Sequence, residues 1–158
     1  MSSSKFLEEE KARQNEKGVG YKAVVKQVIT DKMVRQFAEM SGDFNPIHLD
    51  DEYAATTIFK KRIAHGMILG AIISRCLNTT IGTGGIYRGQ TLTFKAPVFI
   101  DDEITFELTI TQLHRTRGLG TVETIAKNAS GVVVCRGEAS IVMAANVAGD
   151  ASKSDDKP

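Results

Sequence analysis

The sequence predicts an α+β domain in which an antiparallel sheet wraps one long central helix, and three observations carry that prediction. The run from Gly66 to Leu77 is apolar around most of its circumference, which suits a helix enclosed by other elements rather than one lying on a surface. After the Gly-rich stretch at Gly82 to Gly85 the apolar period changes to two, as in half-buried strands. The strand-like stretches that follow are joined by connections too short for parallel crossovers, so they run antiparallel.

Taken in order, residues 1–18 are polar and highly charged and read as a tail, 19–145 as the folded domain, and 146–158 as a disordered tail with almost nothing to bury. Tyr21, Ala23, Val25 and Val28 suggest a strand before Thr30, a natural N-cap. From Asp31 to Met40 the apolar residues Met33, Val34, Phe37, Ala38 and Met40 recur at near-helical spacing, and Ser41-Gly42 supplies a stop. A second short helix is expected from about Asp50 to Phe59, with acidic residues in its first turn and Lys60, Lys61 and Arg62 past its end, charges that complement the helix dipole. The buried helix at Gly66 follows. Leu92, Phe94, Ala96 and Val98 then alternate with polar residues, as do Ile104, Phe106, Leu108 and Ile110. Gly120 to Lys127 and Val132 to Met143 complete the sheet, separated by the turn signals of Asn128 to Gly131.

Composition narrows the function classes. A chain of 158 residues with 42% hydrophobic content suits one domain with a real core. Twenty Lys plus Arg against nineteen Asp plus Glu leave a formal net charge of +1, so no global field draws the protein to nucleic acid or an anionic membrane. A small anion still needs only a local basic cluster. Cys76 and Cys135 lie in apolar surroundings and read as buried thiols in a reducing compartment, not as a disulfide or metal framework. No leader-like or membrane-spanning apolar run is evident, so a cytoplasmic, soluble protein is expected.

The chemistry concentrates between Phe37 and Ala54. Asp43 and His48 flank Asn45-Pro46, where the proline restricts Asn45 to extended geometry, so the two side chains can converge. Adding water across a double bond conjugated to a thioester carbonyl needs a group that takes a proton from water, a group that returns one to the α-carbon, and donors for the enolate-like oxygen. Asp43 and His48 supply the first two. Gly66, at the start of the buried helix, offers an N–H that no side chain shields, and becomes the oxyanion-hole candidate. Gly70 and Ser74 recur on nearly the same stripe. Gly70 reads as close packing, while Ser74 is a candidate for the water network or for packing. No metal or redox cofactor is required.

These residues resemble the MaoC-like, R-specific enoyl-CoA hydratases of the hot-dog fold over roughly Val19 to Met143. The resemblance is strongest in Ser41-Gly42-Asp43-Phe44-Asn45-Pro46-Ile47-His48 with Ala54, and extends to His65-Gly66-Met67, Ile86 to Gln90 and Phe94 to Val98. It implies hydration of a trans-2-enoyl-CoA to the (R)-3-hydroxyacyl-CoA, with Asp43 activating water, His48 assisting proton transfer, Asn45 bracing the site, Gly66 binding the thioester carbonyl and Ser74 in the active-site network. It further implies a homodimer, an acyl tunnel beside the helix and no prosthetic group, CoA being part of the substrate.

Singly, Asp43 reads as a turn residue and His48 as a loop-ordering one; together with Asn45, Pro46 and Gly66 they read as a catalytic pair. His65 reads as structural and His114 as a solvated strand end. Gly82 to Gly85 lacks the Lys-Ser/Thr ending of a phosphate loop. Lys60, Lys61 and Arg62 read first as helix-end charges and second as contacts for CoA phosphates. A dehydratase acting on acyl carrier protein thioesters shares the chemistry, a hot-dog thioesterase shares the fold, and a non-catalytic acyl-CoA-binding module would be expected to lack one of the pair.

Overall fold

The structure, a computed structural model, describes residues 17–82, 84–114 and 116–143. The expected tail at 1–18 lies outside these residues except at 17 and 18, and that at 146–158 lies wholly outside them. Five strands, β1 (Lys22–Val28), β2 (Ile86–Phe94), β3 (Glu103–His114), β4 (Leu119–Lys127) and β5 (Val133–Val142), form one antiparallel sheet in the order β1-β3-β4-β5-β2. Register shifts after Tyr87, Ile110 and Ala126 add local twist, which helps the sheet curl.

The helix α4 (Gly66–Ile81) lies in that curl and packs against β1, β2, β3 and β5. Its apolar circumference explains the placement: Ile68, Leu69, Ile72, Ile73, Cys76, Leu77 and Ile81 are all buried. On the sheet side, the period of two sends Ile104, Phe106, Leu108 and Ile110 inward, each with no exposed surface. At roughly 1.5–3 kcal/mol per fully buried large apolar side chain, this shared core is the dominant source of stability. Both cysteines are buried in it as free thiols.

Three shorter helices precede α4 in the chain, and the first of them packs against it. In α1 (Asp31–Ser41), Thr30 Oγ1 accepts from the Met33 N–H at 3.3 Å, and Gly42 closes the helix at φ 78°, a left-handed conformation that favours glycine. An unexpected turn, α2 (Pro46–Leu49), precedes the helix expected from about Asp50 to Phe59, which is present as α3 (Asp51–Thr56) and ends three residues sooner. Pro46 tolerates the first position of a helix because its missing N–H is not needed there. Asn45 is extended, as Pro46 requires, yet its Oδ1 caps the Ile47 N–H at 3.2 Å, so His48 stands on a helical turn and not in a loop. Asp50 Oδ1 caps the Tyr53 N–H at 3.0 Å, which explains why α3 begins anew. Strand β2 also ends earlier than the alternation suggests: Pro97 lacks a donor, and beyond Phe94 the chain keeps a bond from the Lys95 N–H to the Val134 carbonyl and an isolated bridge from Phe99 to Ile63.

Candidate active site

The segment from Gly42 to Gly66 is shaped by short-range hydrogen bonds. Ser41 Oγ donates to the Phe37 carbonyl at 2.6 Å and accepts from the Asp43 N–H at 3.2 Å. Asp43 Oδ1 accepts from the Asn45 N–H at 3.2 Å, an Asx turn that leaves the second carboxylate oxygen for other work. The role of Asn45 is thus to start α2 and set where His48 points. Arg62, whose side chain is 11% exposed, forks between Asp31 at 2.6 Å and Asp51 at 2.8 Å, tying α1 to α3. Those commitments take Arg62 out of contention as a phosphate ligand. Lys60 and Lys61 remain exposed.

His48 Nδ1 lies 2.7 Å from the Ile63 carbonyl. A carbonyl only accepts, so Nδ1 carries the proton and Nε2 keeps its lone pair while the ring is neutral. Burial pushes the His48 pKa below the ordinary histidine value, against the opposing pull of the Ile63 carbonyl and the Asp43 carboxylate; His65 adds to the depression. The neutral acceptor is therefore favoured.

The structure brings Asp43 and His48 together and adds a third group, His65. One carboxylate oxygen and one nitrogen of each ring lie within 4.8 Å of one another. A water hydrogen-bonded to two such atoms at ~2.8 Å with a tetrahedral angle spans ~4.6 Å, so the pair is spaced to share one. The set also has the composition of a metal site. The two imidazoles, however, are stacked, with centroids 3.9 Å apart and planes tilted by 33°. In these rings His48 Nδ1 is committed to the Ile63 carbonyl and His65 Nε2 to the Asp43 carbonyl, so each keeps one lone pair.

His65 occupies the N-cap position of α4 without any side-chain cap bond, and Gly66 is the first helical residue. At that position the Gly66 N–H has no intrahelical acceptor. Gly66 also faces the Phe94 ring, 2.8 Å from where a Cβ would stand, so any larger residue displaces the ring. A cavity of about 370 Å³ opens here, lined by His48, Ile63, His65, Gly66, Leu69 and Phe94 among others. Two imidazoles and a mostly apolar lining suit a small polar reacting group with an alkyl extension.

Ser74 is not brought to this cavity. It is exposed on α4, eight residues and therefore ~12 Å along the axis from Gly66. Gly70 packs against Leu92, as its stripe suggests. Of the apolar residues able to shape an acyl channel, Phe59 and Leu69 line the cavity, whereas Ile72 and Ile73 are turned into the core and Tyr53 is 47% exposed. Sequence reasoning passed over His65 and Phe94 as site residues. The only signal for His65 was its place beside Gly66.

The MaoC like domain model matches residues 12–132. An (R)-specific enoyl-CoA hydratase of Aeromonas caviae is 42% identical over 77% of this chain and 91% of its own length. A mitochondrial 3-hydroxyacyl-[acyl-carrier-protein] dehydratase of Arabidopsis thaliana is 32% identical over 73% of this chain and 71% of its own. The R-hydratase of Pseudomonas aeruginosa in its unliganded form superposes with a TM-score of 0.78 at 43% identity, covering 82% of this chain and 84% of that one. The chain belongs to the MaoC-like domain family and has its hot-dog fold.

Proposed function

We propose that this protein adds water reversibly to trans-2-enoyl-CoA, giving the (R)-3-hydroxyacyl-CoA. The observation that carries the proposal is the placement of the Asp43 carboxylate and His48 ring within one water's span, beside the open N-terminus of α4. The thioester carbonyl accepts from the Gly66 N–H, so that charge developing on its oxygen meets a fixed donor and the positive end of the helix dipole. The water is held by Asp43, whose carboxylate polarises it, and by Nε2 of His48. As oxygen bonds to the β-carbon, one water proton passes to Nε2 and on to the α-carbon; the double bond is consumed, and His48 and Asp43 return to their starting states. No electron is transferred to or from the protein, and the steps call for no redox group and no metal.

The R configuration and the CoA handle are supported by the higher identity to the hydratase than to the acyl carrier protein dehydratase. A homodimer fits the exposed apolar residues along β2 and α4: Ile86 at 47%, Phe94 at 47% and Met67 at 54% exposure, next to a strand edge with unpaired backbone groups. Ser74 is exposed on α4 seven residues beyond Met67, about two turns along the same stripe. A cytoplasmic location fits the two free buried thiols. No helix among the described residues is long and apolar enough to cross a membrane.

The test is loss of the enoyl absorbance of crotonyl-CoA and of a longer enoyl-CoA, for wild type beside Asp43→Ala and His48→Ala, with free thiol followed in parallel. Hydration that collapses in both folded variants is the expected result. Thiol release without hydration would instead make the protein a thioesterase, and turnover confined to acyl carrier protein thioesters would make it a dehydratase of that class.

A further inference from the structure

His65 is 2% exposed, and three of its features go beyond what a packing residue needs. Its Nε2 lies 3.0 Å from the Asp43 carbonyl, which only accepts, so Nε2–H donates and holds the backbone of the residue that carries the carboxylate. Its ring stacks on His48 at 3.9 Å while Phe37 packs on it at 4.9 Å, so the plane of the His48 ring is set between His65 and the Ile63 carbonyl. Its backbone is the N-cap of α4, immediately before Gly66. An N-cap side chain ordinarily turns back to bond a first-turn N–H; this one reaches out to Asp43 and leaves the first turn open to a ligand.

The cost of this arrangement is visible. His65 Nδ1 is buried with no hydrogen-bond partner among the described residues. An unpaired buried acceptor lowers stability, so an apolar ring would serve a purely structural role at least as well.

We infer that His65 is a positioning residue for the hydration, one side chain that fixes the carboxylate of Asp43, the ring of His48 and the N–H of Gly66 relative to one another. The inference rests on the hydratase reading and deepens it. Through these links a single rigid imidazole spans the water-binding pair and the oxyanion donor, the groups whose spacing determines whether the water reaches the β-carbon while the carbonyl is held. A misplacement of about 1 Å in such a set costs on the order of 10²-fold in rate.

Two variants separate the contributions. His65→Phe keeps a ring on His48 and removes both the donor to Asp43 and the unpaired acceptor. His65→Gln keeps a donor of similar reach and removes the stacked ring. The expected result with crotonyl-CoA is a fall in kcat of about 10- to 100-fold in each, with KM within about 2-fold. The His65→Phe protein should keep its Tm within about 4 °C of wild type, since it loses one hydrogen bond and one unpaired group together. Retention of kcat within 2-fold in both folded variants, or a loss confined to KM, overturns the inference; if His65→Phe does not fold, His65→Gln decides alone.

Imidazole ¹⁵N spectra of His48 give a readout that needs no turnover. In wild type the Nδ1–H tautomer should predominate, and in His65→Gln the tautomers should mix. If wild type hydrates nothing, the functional reading fails, while a His48 spectrum unchanged by His65→Gln defeats the positioning role by itself.

Discussion

Strand β3 turns Ile104, Phe106, Leu108 and Ile110 into the core with no surface exposed, whereas the whole segment from Gly42 to Gly66 buries only Ala54, Ala64 and His65. The first region is held by many interchangeable apolar contacts. The second is held by individual bonds: the Asx turn at Asp43, the caps at Asn45 and Asp50, the Arg62 fork and the two histidine-to-carbonyl bonds. Stability and chemistry are therefore largely separable here, and substitutions in the two regions should fail in different ways.

The sharpest separation is expected at Asp43. Asp43→Asn retains an oxygen to accept from the Asn45 N–H, so the turn survives, but it removes the charge that polarises water. Hydration should fall by about 10²- to 10⁴-fold with the thermal midpoint nearly unchanged, as read by the enoyl assay beside a circular dichroism melt. The converse belongs to Phe106→Ala, which should lower unfolding free energy by about 3–5 kcal/mol in urea titrations while the molecules still folded turn over normally. Gly66→Ala tests the boundary between the regions. Its new methyl group displaces the half-exposed Phe94 ring, which lines the cavity, a small cost to the fold, and obstructs the carbonyl's approach; kcat should drop by about 10²-fold with little change in melting.

A smaller effect is expected at Thr30, where removal of the Met33 cap by Thr30→Ala should cost ~1 kcal/mol of stability and leave kcat alone. The smallest is a displacement in pH. Hydration needs His48 neutral, and burial lowers its pKa, so the acid limb of kcat/KM should fall below the ordinary histidine value of about 6.5. The sign for stability follows from the same shift. Unfolded His48 takes up its proton first as pH falls, so the His48 contribution is fully present above about 6.5 and is lost as pH falls through the lower folded value. An acid limb at or above 6.5 would mean that His48 is more hydrated, or more strongly paired with Asp43, than this geometry allows.

The parts of the molecule legible in advance are those governed by neighbours in sequence. The period-two strands, the all-round apolar helix, the Thr30 cap and the Gly42 stop each follow from residues within a few positions, because backbone geometry repeats over that range. Asp43, Asn45, His48 and Gly66 were legible as a constellation because proline chemistry and a glycine at a helix start constrain them locally. Where expectation and structure part, the origin is long-range: the helix expected from about Asp50 to Phe59 is present as α3 but stops at Thr56, and the phosphate contact considered for Arg62 with Lys60 and Lys61 gives way to partners, Asp31 and Asp51, that only folding sets.

By itself, then, the sequence determined the α+β architecture and the residue types that carry the chemistry, through periodicity and capping that act over a few residues. Only the tertiary structure decided which groups share the site. His65 sits 22 residues from the carbonyl it bonds, and Ile63 sits 15 from the ring whose tautomer it sets. Phe94 reaches Gly66 from the end of β2, and Ser74 is carried away from the pair by the helix it stands on. Those relations depend on how the curled sheet seats α4 against the 42–65 segment, a packing solution that no local period records.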